Sequence, residues 1–173
     1  RVIASTNRNL EKMIAESEAI FKTFMESALT IHPDFVIIPG DLTKDGEKIS
    51  HEKLAGCLAE LEAAGIEVYI VPGNHDINNP HARSYTAEGE VAVDTVTPEE
   101  FRSIYAEFGF DQAIDRNADS LSYLVEPAEG IWLLCLDSCN YDKNLEFPET
   151  GGAFSRETLD WIVSKLQAAE RQG

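Results

Sequence analysis

Two segments of the 173-residue chain pair the same sharp turn with side chains able to do chemistry: Pro39-Gly40-Asp41 and Pro72-Gly73-Asn74-His75-Asp76. Asp41 offers a carboxylate and Asn74 an amide oxygen. These hard donors suit Mn, Mg, Fe or Zn better than a soft metal. Asp41 has two oxygens and so can bridge two cations. His75 can exchange a proton with a substrate oxygen, and Asp76 can orient its ring. Taken singly, either Pro-Gly-polar segment is a plain strand-to-helix connection. Two of them, one ending Asn-His-Asp, point to a shared site.

The elements that must position them are legible. Phe35-Val36-Ile37-Ile38 and Val68-Tyr69-Ile70-Val71 are apolar throughout, and each runs into one Pro-Gly turn. Between them lies a helical stretch with Leu54, Cys57, Leu58 and Leu61 on one face and Gly65 as its stop. Strands apolar on both faces and separated by helices imply a parallel sheet covered on both sides. Ligands of such sheets bind beyond the carboxyl ends of the strands. Neighbouring strands would set Asp41 and Asn74 side by side there, and the glycines let the backbone turn sharply.

The rest of the chain supplies the frame. Asn9 to about Thr30 reads as an amphipathic helix with Leu10, Met13, Ile14, Ile20, Phe21, Phe24, Met25 and Ala28 on its stripe, stopped at His32-Pro33. Residues 77–96 have no clean period and read as a long loop. Thr97-Pro98-Glu99-Glu100 is a helix start, with Phe101, Ile104, Tyr105 and Phe108 as its buried stripe and Gly109 as its end. Residues 120–125 and 131–136 read as two strands joined by a turn at 127–130, followed by a polar loop over 138–152. Ser155 caps a last helix expected to face Leu159, Ile162, Val163 and Leu166 inward.

Composition narrows the function. Thirty-one acidic residues against 14 basic give a formal charge of −17. That argues against a duplex nucleic-acid binder, which needs clustered Lys and Arg. It also suits phosphate poorly unless positive charge is brought in. No apolar run approaches the ~20 residues of a membrane-spanning helix. Cys57, Cys135 and Cys139 show no C-x-x-C spacing and read as buried or half-buried thiols.

The pairing of Gly40-Asp41 with Gly73-Asn74-His75-Asp76, each after an apolar strand, resembles two blocks of the calcineurin-like metallophosphoesterases. The fuller segments 40–47 and 72–80, with Leu136-Asp137-Ser138, are similar to the bacterial cyclic-nucleotide phosphodiesterase branch, which includes exported, surface-associated members. The resemblance covers roughly Asp34 to Trp161. It implies an α/β fold, a four-layer sandwich of two sheets flanked by helices, represented here only in part. It implies two divalent metal ions (Mn, Fe or Zn), with Asp41 bridging them and Asn74 ligating one. His75 would stabilise charge or protonate the leaving oxygen, with Asp76 fixing its orientation. The implied substrate is a small phosphodiester such as a cyclic nucleotide.

The family's Asp-x-His block and its later histidine blocks are not found in this sequence. Residues 1–173 are therefore expected to form a single, incomplete domain with little activity alone. Two other readings stand beside this one: a phosphomonoesterase or nuclease on the same site, and a metal-poor interaction module without catalysis.

The remaining polar residues admit two readings each. His81 and Arg83 are either substrate contacts or a solvated loop pair. Asp137 is either a group supporting the cleft or a turn residue. Tyr141, Asn144 and Phe147 either wall a nucleotide pocket or anchor their loop. His51 reads as a surface or capping group, His32 as a helix terminator, and Asp45, Glu47 and Glu52 as a solvated acidic face.

Overall fold

The computed structural model describes residues 14–86 and 89–172. The element order is α1 (Ile14–Ile31), β1 (Phe35–Ile38), α2 (Lys48–Ala63), β2 (Glu67–Ile70), β3 (Arg83–Thr86), β4 (Gly89–Ala92), α3 (Pro98–Ile104), β5 (Asp115–Arg116), β6 (Tyr123–Ala128), β7 (Ile131–Cys135) and α4 (Arg156–Gln172). β1 and β2 pair in parallel with Val36 opposite Val68 and Ile38 opposite Ile70. Val36, Val68 and Ile70 are buried, as strands apolar on both faces require. α2 makes the crossover and ends at Ala64, followed by Gly65 at φ 81°. α3 begins with the capping box expected at Thr97: its side chain accepts from the Glu100 amide, and the Glu100 carboxylate accepts from the Thr97 amide at 2.9 Å.

The second sheet is antiparallel with order β5-β6-β7. Tyr123 of β6 ties it to the first sheet, because its buried hydroxyl donates to the Ile70 carbonyl at 2.7 Å. The chain turns irregularly through Ala106–Phe110, where Gly109 sits at φ 103° and a Cβ would overlap the Tyr123 ring. Phe110 packs on Tyr123 with centroids 4.8 Å apart. Among the described residues a core cluster runs from Met25 and Ala28 through Leu58, Leu61 and Ile70 to Phe101, Tyr105 and Cys135. The result is a mixed α/β fold of helices and small sheets, consistent with part of the expected sandwich. Among the described residues no helix is long and apolar enough to cross a membrane.

Several expectations are corrected. The 77–96 segment contains a hairpin, β3–β4, whose second strand is exposed along its length and so shows no alternation in sequence. The short strand β5 has no signal of its own and exists through pairing with β6. β6 runs on to Ala128 through a register shift between Val125 and Ala128, so the turn is tighter than expected, at Glu129-Gly130. In α1, Met25 and Ala28 are buried but Ile20 is 48% exposed; Leu10 and Met13 lie outside the described residues. In α4 the stripe Leu159, Val163 and Leu166 is exposed. The helix docks by other positions: Thr158 and Trp161 donate to Asn117 and Asp115, and Lys165 pairs with Asp115. The three cysteines are free thiols, as expected.

Candidate active site at the ends of β1 and β2

The register that pairs Ile38 with Ile70 carries Asp41 to the position beside Gly73. Gly40 lies at φ 96°, and a Cβ there would run into the backbone of Pro72 and Gly73. A Cβ on Gly73 would overlap the backbone and carboxylate of Asp41. The two glycines thus allow two backbones to touch, and each is required because the other turn occupies its side-chain space. Asp41 itself adopts φ 52°, a left-handed conformation that non-glycine residues rarely take. Its Oδ1 accepts from the His75 amide at 3.3 Å. Asp41, Asn74 and His75 are half-buried and share this edge.

Asp76 is fully buried and holds the two turns together. Its carboxylate accepts from the amides of Leu42 (2.8 Å), Thr43 (3.1 Å) and Gly73 (2.7 Å) and lies 3.3 Å from the Thr43 hydroxyl. Burial pushes its pKa up to about 6, against those amide bonds. Asp76 does not reach the His75 ring. That contact belongs to Asp45, whose Oδ1 accepts from His75 Nδ1 at 3.3 Å. A carboxylate can only accept, so Nδ1 carries the proton and Nε2 is the nitrogen able to exchange one. Lys44 Nζ pairs with the other Asp45 oxygen at 2.5 Å. Asp45 and Glu47 are buried, correcting the solvated acidic face; Glu52 is exposed. The 43–47 turn packs closely here: a Cβ on Gly46 would stand 2.8 Å from the His75 carbonyl oxygen.

A second tier lies beneath. His51 is fully buried, not a surface group. Its Nε2 is 3.0 Å from the Asp76 carbonyl and its Nδ1 is 2.8 Å from the Tyr105 hydroxyl. The carbonyl accepts, so Nε2 is protonated and Nδ1 accepts from Tyr105. Burial lowers the His51 pKa to about 4, so the ring is neutral. This chain couples α2 and α3 to the peptide of Asp76. His51 falls on the same stripe as Leu54, Leu58 and Leu61, a periodicity that could have located it. Asp45 has no such signal, because its burial follows from the turn's tertiary packing.

The other candidates follow β2 or β7 in the chain. His81 Nε2 donates to the Glu146 carbonyl at 2.9 Å, and its ring meets Phe147 edge-on at 5.4 Å. Arg83 turns Nη1 to the carbonyls of Pro80 and Ala82. Asn144 donates to the Ile77 carbonyl at 2.9 Å. The 138–152 loop is therefore strapped over the segment following Asp76. Asp137 is buried and accepts from the amides of Leu121 and Cys139 and the Tyr141 hydroxyl. Burial raises its pKa. Cys139 lies 3.5 Å from the Pro72 carbonyl. Burial and the carboxylates of Asp137, Asp76 and Asp41 push its thiol up to about 12, so it stays protonated and unreactive at neutral pH. His32 donates to the Ala64 carbonyl at the end of α2, 3.0 Å away; these two residues precede β1 and β2, whereas the turns follow them.

Asp41 and Asn74 have the oxygen-donor chemistry that a hard divalent cation takes. Among the described residues, however, no three His, Cys, Asp or Glu side chains come together as a ligand set.

No curated protein matches this chain. A family model described as calcineurin-like phosphoesterase matches residues 12–167, which include both Pro-Gly turns and the strands and helices that carry them. The chain therefore belongs to the calcineurin-like phosphoesterase family, whose domain is that of a metal-dependent phosphoester hydrolase.

Proposed function

We propose that the protein hydrolyses phosphodiesters, cyclic nucleotides among them, with two divalent cations. The observation that carries this reading is the contact of Gly40 with Gly73, which brings Asp41, Asn74 and His75 to one edge. Asp41 and Asn74 are the oxygen donors this chain offers to the cations. Bound cations supply the positive charge that phosphoryl transfer needs and that a chain of net charge −17 lacks. His75 in its imidazolium form, with Nδ1–H held by Asp45, gives its Nε2 proton to the leaving oxygen and is left as the neutral ring. Asp76 acts on the backbone, holding the two turns in contact rather than steering the ring. The choice of diester and of cyclic nucleotide is supported by the likeness of segments 40–47 and 72–80 to the cyclic-nucleotide phosphodiesterase branch.

The test uses the full-length protein, since residues 1–173 alone are expected to have little activity, and compares bis(p-nitrophenyl) phosphate, p-nitrophenyl phosphate and 3′,5′-cyclic AMP with added Mn. Preferred turnover of the two diesters is expected. Faster turnover of the monoester would overturn the diester reading, and turnover of none would overturn hydrolysis itself.

A further inference from the structure

We infer that Lys44 is a positioning residue for His75, acting through Asp45; the inference rests on the proposed proton-transfer role of His75. The Asp45 carboxylate is divided between two partners. Oδ2 meets Lys44 Nζ at 2.5 Å and Oδ1 meets His75 Nδ1 at 3.3 Å. A carboxylate held at one oxygen can still swing about its last torsion, whose energy profile is broad. Held at both, its plane is fixed, and so is the acceptor that the imidazole finds. The Asp45 side chain is only 11% exposed, so water competes weakly for either oxygen. The backbone beneath is fixed as well: the Asp45 amide donates to Glu47 Oε2 at 3.2 Å and the Gly46 amide to Thr43 Oγ1 at 2.9 Å.

Charge makes the pairing consequential. Asp45, Glu47 and Asp76 are three buried acids within this one junction of turns. Lys44 brings a cation to that group, where like charges would otherwise repel each other. Its side chain is itself 36% exposed, so it reaches Asp45 from the solvent side. It can therefore be altered without opening the core.

The test uses Lys44→Met and Lys44→Arg, read in two ways. In the metal-loaded protein, Lys44→Met should lower kcat on bis(p-nitrophenyl) phosphate about tenfold with KM changed less than about twofold, because a misplaced proton donor weakens the chemical step. Lys44→Arg should recover most of the loss. Independently of activity, nitrogen-15 NMR of the imidazoles should show a protected Nδ1–H signal for His75 in the wild type and Lys44→Arg, broadened by exchange in Lys44→Met. An unchanged His75 signal in Lys44→Met would overturn the inference even if the enzyme turns over. So would an unchanged kcat. If the wild type hydrolyses no phosphoester while the His75 signal responds as expected, the functional reading fails and the positioning role stands.

Discussion

Gly40 and Gly73 stand against each other so closely that neither position has room for a Cβ. This contact is how two parallel strands deliver three polar side chains to one edge. It predicts that Gly73→Ala is severely destabilising, because the added carbon meets the Asp41 backbone rather than a flexible side chain. A loss of roughly 3 kcal/mol is expected, in the range of strained or overpacked backbone sites. Urea denaturation with an unchanged slope would report it. A loss below about 0.5 kcal/mol would show that the two turns can separate.

Two aspartates near His75 should respond oppositely. Asp76→Asn replaces one accepting oxygen by an amide donor facing backbone N–H groups. It should lower stability by about 2–4 kcal/mol, the scale of buried charge-assisted bonds left unmade. Asp45→Asn should leave stability within about 1 kcal/mol, but lower kcat about 10- to 100-fold through loss of the carboxylate acceptor. Paired denaturation and steady-state kinetics separate the two.

The buried, neutral His51 gives a pH dependence of definite sign. Its folded pKa, about 4, lies below the unfolded value of 6.5, so the folded state binds the proton less readily. The stability it confers is present above pH 6.5 and is lost as pH falls toward 4. The stability difference between wild type and His51→Gln should therefore shrink by roughly 3 kcal/mol between pH 7 and pH 4. Asp76, with its pKa raised to about 6, has the opposite sign over much of this window. The comparison with the variant isolates the histidine from it. A difference that stays flat over that window would contradict neutral burial.

What was legible in sequence was what repeats or punctuates locally. The all-apolar runs over 35–38 and 68–71 locate β1 and β2 to within a residue, and the Thr97 capping box marks the start of α3. The echo of the two Pro-Gly turns placed Asp41 beside the 73–76 segment. Less legible was anything decided by distant packing. Asp45 and Glu47 look solvated in sequence, yet the 43–47 turn folds against the His75 and Asp76 carbonyls. Asp76 looks like the natural partner of its neighbour His75. Its carboxylate is drawn instead to three amides that become available only when the two turns meet. In α4 the pattern identifies an apolar face but not which positions dock. Asp115 and Asn117 engage Thr158, Trp161 and Lys165 and leave Leu159 and Val163 exposed.

That exposed face gives a further check. Val163→Ser should change stability by less than about 0.5 kcal/mol, as at other surface positions. Tyr123→Phe removes a buried hydroxyl and leaves the Ile70 carbonyl without that donor, so it should lower stability by about 1–2 kcal/mol. Thermal melts of both variants rank them. A larger loss for Val163→Ser would mean that the α4 stripe is covered.

The most direct test of the account is Mn-dependent hydrolysis of bis(p-nitrophenyl) phosphate by the full-length wild type and by its Asp41→Ala variant, with folding of both verified by circular dichroism. The account predicts turnover that chelation abolishes and Mn restores, together with at least a 100-fold loss in Asp41→Ala, the scale of a removed transition-state stabiliser. Equal turnover by the two proteins, or turnover indifferent to chelation, would contradict it.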